Sequence, residues 1–155
     1  MRVAGTGHRP DKLGGYGKSV KARLEVLAID WITLNKPSLV ISGMALGWDQ
    51  ALAEAALELK VPLLAAIPFD GQEASWPDES QKRYREILAA AQEVKVVSQG
   101  GYAAYKMQRR NEWMVDHCDL VLALWDGSSG GTGNCIRYAR QQLKTIENLW
   151  TQWSK

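Results

Sequence analysis

Leu122-Ala-Leu-Trp-Asp-Gly-Ser-Ser-Gly-Gly-Thr-Gly-Asn-Cys135 decides the reading of this chain. An apolar run, Asp119 to Leu124, enters a loop with four glycines in seven residues (127–133). Behind it Ile136, Ala139, Leu143 and Ile146 recur at helical spacing. The order is strand, glycine loop, helix. Glycine lets a backbone turn with positive φ and approach a ligand closely, and the helix behind offers unpaired N–H groups at the positive end of its dipole. Such a loop cradles a phosphate or carboxylate. A tight turn with a helix cap needs only one or two glycines, so four of them, with Thr132 at the helix start, favour the cradle.

Working outward, the same order repeats. Arg2-Val-Ala is a short strand that opens into Gly5-Thr-Gly-His-Arg-Pro10. Val20, Leu24, Leu27, Ala28, Trp31 and Leu34 predict a core-facing helix over 18–35. Leu39-Val-Ile-Ser42 predicts a buried strand that opens into Gly43-Met-Ala-Leu-Gly-Trp-Asp-Gln50, with a helix to about Lys60. Pro62 to Ile67 is a third strand, closed by Pro68-Phe-Asp-Gly71. A polar loop follows from Gln72 to Ser80, then a helix over 81–92, a strand at Val94 to Val97 broken by Gly100-Gly101, and a helix over 103–117. Strands that are short, apolar and unalternating belong to a parallel sheet covered on both faces. Right-handed crossovers make it doubly wound, with its ligand crevice beyond the carboxyl ends of the strands. The expectation is one α/β domain over 1–155 with five parallel strands. The loops at Gly5–Pro10, Ser42–Gln50, Pro68–Gly71, Ser98–Gly101 and Asp126–Thr132 then share one edge.

Composition narrows the function. A net charge of +2 with mixed signs demands neither nucleic acid nor a membrane surface. Two cysteines, Cys118 and Cys135, make neither a disulfide framework nor a metal spacing, and are read as reduced thiols. No signal-peptide pattern or membrane-length apolar run is present, so a soluble cytoplasmic protein is expected. No cofactor is expected: Gly5-x-Gly-x-x-Pro10 lacks the third glycine of a dinucleotide fingerprint, and a P-loop ending at Lys18-Ser19 would need glycine where Lys12 stands. No metal site is expected either. Seven tryptophans against one phenylalanine suggest indoles at a pocket or a subunit contact. Trp48 and Trp76 are placed to stack on a base or simply to pack, and Trp150 and Trp153 to help a dimer.

Taken together, Gly5-Thr-Gly-His-Arg-Pro10, Ser42-Gly-Met-Ala-Leu-Gly-Trp-Asp49, Pro68-Phe with Gly71-Gln72 and Trp76-Pro77, Arg110-Asn111, and Asp126-Gly with Gly130-Gly-Thr132 make the sequence resemble the SLOG superfamily. This Rossmann-like group includes DprA proteins and LONELY GUY-type phosphoribohydrolases, and the likeness is strongest to its small YpsA-like branch. The resemblance implies a nucleotide or nucleotide-derived ligand on the glycine edge, and a homodimer. LONELY GUY-type enzymes cleave the N-glycosidic bond of a nucleoside monophosphate with Met-x-x-Arg and Pro-Gly-Gly-x-Gly-Thr-x-x-Glu. Met107-Gln-Arg-Arg110 matches the first motif. In the second, Cys135 stands where the glutamate belongs, and a thiol neither stabilises an oxocarbenium-like state nor activates water well.

The expected ligand-binding residues are therefore Gly5, Thr6, Gly7, His8, Arg9, Ser42, Gly43, Met44, Gly47, Trp76, Arg110, Asn111, Gly130, Gly131 and Thr132. Arg110 and the cradle are assigned to phosphate, and the two earlier loops to ribose and base. Asp49 and Asp126 are the catalytic candidates should the protein be an enzyme. Asp49 reads equally as a first-turn acid favoured by the helix dipole, and Asp126 as an Asx turn. His117 reads as a helix C-terminal residue compensating the dipole, and Lys82, Arg83 and Arg85 as a solvated face. Three functions follow: sensing or sequestering a nucleotide-derived small molecule, hydrolysis of a nucleoside monophosphate, and DprA-like binding of single-stranded DNA. The near-neutral charge argues against the last.

Overall fold

The computed structural model describes all residues, Met1–Lys155. Strands β1 (Arg2–Gly7), β2 (Leu39–Ser42), β3 (Leu63–Ile67), β4 (Glu93–Val96), β5 (Leu120–Leu124) and β6 (Thr145–Asn148) form one sheet in the order β4-β3-β2-β1-β5-β6, every neighbouring pair parallel. Between them run α1 (Lys18–Asn35), α2 (Trp48–Glu58), α3 (Asp78–Ala90), α4 (Ala104–Asp116) and α5 (Gly131–Gln141), and α6 (Trp150–Trp153) follows β6. The expected doubly wound parallel sheet is present, with six strands rather than five. The helix expected to continue through Ile146 ends at Gln141. Leu143 takes a left-handed φ of 57° and is 92% exposed, and Lys144 N–H closes back on the Ala139 carbonyl. The chain then pairs along β5, Leu120 beside Thr145. Thr-Ile-Glu-Asn shows no apolar run because it is an edge strand, partly open to solvent.

Alternate residues of the sheet feed two core layers. Val3, Val40, Leu63, Ala65, Ile67, Leu122 and Leu124 face α1, α2, α3 and α6. Ala4, Ile41, Leu64, Ala66, Val121 and Ala123 face α4 and α5. Trp48, at the start of α2, is wholly buried and donates its indole N–H to the Leu122 carbonyl at 3.3 Å. It is therefore not a base-stacking residue. Its ring lies on β1, where a Cβ at Gly7 would stand 2.6 Å from Trp48 Cδ1 and one at Gly5 would stand 2.5 Å from Leu52 Cδ2. Those two glycines let α2 lie against the strand. Trp153 is buried with the Arg23 guanidinium 4.0 Å above its ring, and the half-buried Trp150 meets His8 edge to face, so both are engaged within the fold. The Lys82–Arg85 face is not simply solvated. Arg83 pairs with the nearly buried Glu54 at 2.9 Å, and Arg85 lies 3.5 Å from Glu73. No helix is long and apolar enough to cross a membrane.

Candidate functional site

From β1 the chain builds outward to β2, β3 and β4 on one side and to β5 and β6 on the other, so β1 and β5 flank the switch point. Beyond their carboxyl ends lies a cleft of 320 Å³, where an open α/β sheet binds its ligand. Thr6, Gly7, His8 and Arg9 line it from β1, Ala45 and Asp49 from β2–α2, Met107, Arg110 and Asn111 from α4, and Ser128 to Gly133 from β5–α5. Asp11 and Lys12, in a 3-10 turn at Pro10–Lys12, complete the rim. A larger groove of 550 Å³ runs between α1, α2 and α3. No buried polar atom lining it lacks a partner, whereas in the cleft one does.

That atom is Asp49 Oδ1. Asp49 sits in the first turn of α2 and is 7% exposed. Burial raises its pKa to about 6, against the opposing pull of Arg110, the Ala45 amide and Arg9. Arg110 is 6% exposed. Its Nη1 donates to the Gly43 carbonyl at 2.5 Å and its Nε to Asn111 Oδ1 at 3.1 Å. Burial lowers the Arg110 pKa, with Asp49 the main opposing influence, and a guanidinium keeps its charge even so. No direct ion pair joins the two side chains. Asp49 thus has an unpaired acceptor and Arg110 spare donors, and both residues line the same cleft.

Helix α5 closes the opposite wall. Its N-cap is Gly130, at φ 140°, which has no side chain to bond the first amides, and no acid stands in the first turn. A Cβ at Gly130 or Gly131 would meet nothing within 4 Å. The uncapped helix start shares the cleft with the cations Arg9, Lys12 and Arg110, a combination whose geometry and charge suit an anion.

Asp126 behaves differently from Asp49. Its Oδ1 accepts from Ser128 N–H at 2.9 Å and Ser128 Oγ at 2.5 Å, and lies 2.8 Å from Nε2 of the buried His8. Ser128, ahead of any other group, holds its carboxyl well below the usual carboxylate range. Asp126 does not line the cleft. It anchors the β5 loop to the β1 loop and forms the Asx turn that the sequence also allowed. Lys12 Nζ adds a bond to Ser128 Oγ at 2.9 Å.

Other expected residues lie beneath the cleft or away from it. Ser42 Oγ donates to the Asp49 carbonyl at 2.7 Å and accepts from Met44 N–H, Met44 is buried at φ 65°, and Gly47 takes φ 96° hard against the His8 carbonyl. Gly5 is covered by Leu52, and Gly43 by Arg110. Trp76 packs edge to face on Tyr84, ring centres 5.3 Å apart, and does not line the cleft. Neither do the Pro68–Gly71 and Ser98–Gly101 loops. Cys135 is buried, and its thiol pKa is pushed up to about 11 by burial, so no anion replaces the absent glutamate from that position. His117 caps α4 with its ring stacked on Trp113. No three His, Cys, Asp or Glu side chains are arranged to hold a metal ion. The sequence reading missed Asp11 and Lys12, ordinary polar residues just past the first glycine loop, while Met107 and Ser128 lie within the Met-x-x-Arg match and the Asp126–Thr132 loop without having been assigned to the site.

Residues 3–151 match the model of the YspA SLOG family. The chain belongs to this family. It is 32% identical over 138 residues to YoqJ, an uncharacterized SPbeta prophage-derived protein of Bacillus subtilis (strain 168), covering 79% of this chain and 81% of that one. Among solved structures, DNA processing protein A from Streptococcus pneumoniae superposes with a TM-score of 0.68 at 19% identity, over 95% of this chain and 49% of that protein. The Helicobacter pylori protein of the same name, whose structure describes single-stranded DNA binding, gives 0.68 at 20% identity, over 96% of this chain and 64% of that one. The chain thus spans about half to two thirds of these DNA processing proteins, and the likeness to them is one of fold.

Proposed function

We propose that the cleft binds a nucleotide-derived small molecule, with phosphate on the start of α5 and a sugar hydroxyl between Asp49 and Arg110. One observation carries this: the uncapped glycine start of α5 faces, across a single cleft, a buried carboxylate oxygen without a partner. A hydroxyl can donate to that oxygen and accept from a guanidinium, so a sugar satisfies both at once. Helix amides and the rim cations suit phosphate. This assignment moves Arg110 from phosphate to sugar. The role is sensing or sequestering the ligand.

The second reading is hydrolysis of the N-glycosidic bond of a nucleoside monophosphate. It is favoured by Asp49, whose raised pKa of about 6 suits proton transfer near neutral pH. The test is a thermal-shift screen against nucleoside mono-, di- and triphosphates, NAD and ADP-ribose, followed by mass spectrometry of the same mixtures. Ligand at one hundred times its Kd stabilises the fold by about 2.7 kcal/mol. Intact ligand recovered after the shift supports binding, and free base appearing over time supports hydrolysis. No shift with any compound overturns both. Retention of single-stranded DNA at low salt that is lost at high salt would instead give the edge to nucleic acid.

A further inference from the structure

Gln72 follows β3, lines no part of the cleft, and is 8% exposed. Its Nε2 donates to the Gly43 carbonyl at 3.2 Å and to Tyr84 Oη on α3 at 3.2 Å, one N–H for each. The Gly43 oxygen is the same atom that accepts Arg110 Nη1. The guanidinium crosses Gly43 so closely that a Cβ there would stand 2.5 Å from Nη1. Loops or helices after β2, β3 and β4 therefore converge on one buried oxygen.

From this convergence we infer that Gln72 is a positioning residue, whose side-chain amide holds the Gly43 carbonyl that aims Arg110 into the cleft. The inference rests on the reading of the cleft as a nucleotide-derived ligand site. A carbonyl oxygen has two lone pairs, and here Arg110 and Gln72 take them. The Gly43 peptide cannot rotate without leaving a buried group unpaired, which proteins rarely tolerate. The other anchor of Arg110, its Nε bond to Asn111, lies within α4 and reaches onward only to the Gly131 carbonyl at the start of α5, through a longer Asn111 bond of 3.4 Å. The bond to Gly43 alone spans from α4 to the β2 loop and sets where the guanidinium stands toward Asp49. Tyr84, buried on α3, holds the second N–H of Gln72 and so keeps the amide from turning away.

Gln72→Met keeps the length of the side chain and removes both donors. The Arg110 Nε–H resonance, identified by its loss in Arg110→Lys, reports the guanidinium directly in a nitrogen-15 NMR spectrum. Expected in Gln72→Met are a shifted resonance, at least tenfold faster exchange with water, and adenosine 5′-monophosphate affinity at least tenfold weaker by calorimetry. The double variant Gln72→Met with Arg110→Lys should bind no more weakly than Arg110→Lys alone, because one residue acts through the other. An unchanged Arg110 resonance, or affinity losses that add in full, overturns the inference. A wild-type protein that does not bind this nucleotide counts against the reading of the cleft, and the Arg110 resonance then decides the positioning role by itself. Should Gln72→Met not fold, Tyr84→Phe keeps the core ring, frees one side of the amide, and is judged by the same readouts with a smaller expected change.

Discussion

Two sets of glycines lie beneath and around this cleft, and they are glycine for opposite reasons. Gly5, Gly7, Gly43 and Gly47 are crowded: a Cβ on any of them would come within 2.6 Å of Leu52, Trp48, Arg110 or the His8 backbone. Gly127, Gly130 and Gly131 have open space where a Cβ would go. The first set lets α2 and Arg110 lie against the sheet. The second stands in open space. Glycine content alone does not distinguish a packed floor from an open rim, and what each glycine faces does.

The sharpest way to break this contrast is Gly47→Ala. Its φ of 96° disfavours any side chain, and the new methyl would meet the His8 carbonyl at 2.5 Å. Strain and overpacking together should lower stability by about 3 kcal/mol, read as a clear fall in the urea midpoint. Stability equal to wild type would show that the floor is not packed as described.

Asp49 is where floor and rim meet, and its titration gives the next largest effect. Burial raises its folded pKa to about 6, above its unfolded value. Between about pH 4 and 6 the folded chain keeps a proton that the unfolded chain has lost, so stability falls as pH rises through that window and levels off above it. The contribution is up to ~3 kcal/mol. Asp49→Asn removes it: the variant should match wild type near pH 4 and exceed it at pH 7 in urea titrations run at each pH. A gap of the same size at every pH would refute the buried, unpartnered carboxylate.

On the rim, Gly131→Ala should leave stability within about 0.5 kcal/mol, since it introduces neither a crowded Cβ nor a left-handed φ. If the cleft binds as proposed, it should weaken nucleotide binding about tenfold, ~1.4 kcal/mol, by putting a methyl in the space assigned to the phosphate. Loss of stability without loss of affinity would move Gly131 to the packed set. The smallest effect is expected from Ser128→Ala. Asp126 then loses the Ser128 hydroxyl donor and keeps the Ser128 backbone N–H, and its carboxyl should titrate closer to the ordinary carboxylate range, followed by carbon-13 NMR. No movement would mean that the Ser128 backbone N–H and His8 hold that carboxylate without the hydroxyl.

Much of this architecture is readable from local pattern. The helix over 18–35 and the strand at Leu39–Ser42 stand where periodicity puts them, and the glycine loop before α5 opens onto the cleft. Misreadings gather where a residue answers to distant neighbours. The stretch from Gln72 to Ser80 is polar in sequence, yet Gln72 and Glu73 are buried, because Gly43, Tyr84 and Arg85 come from elsewhere in the chain to meet them. Trp48 and Trp76 sit beside motif glycines and serve as packing.

By itself the sequence determined the alternation of strands and helices, the parallel sheet and the glycine-lined edge, since the period of apolar residues and the points where glycine interrupts it are local properties. Only the tertiary structure decided which glycines are crowded, that a polar segment becomes the sixth strand, and that Asp126 is bound by Ser128 and His8 while Asp49 keeps a buried oxygen free. Whether a polar atom is satisfied depends on groups brought together from distant parts of the chain, and spacing along the sequence does not record them.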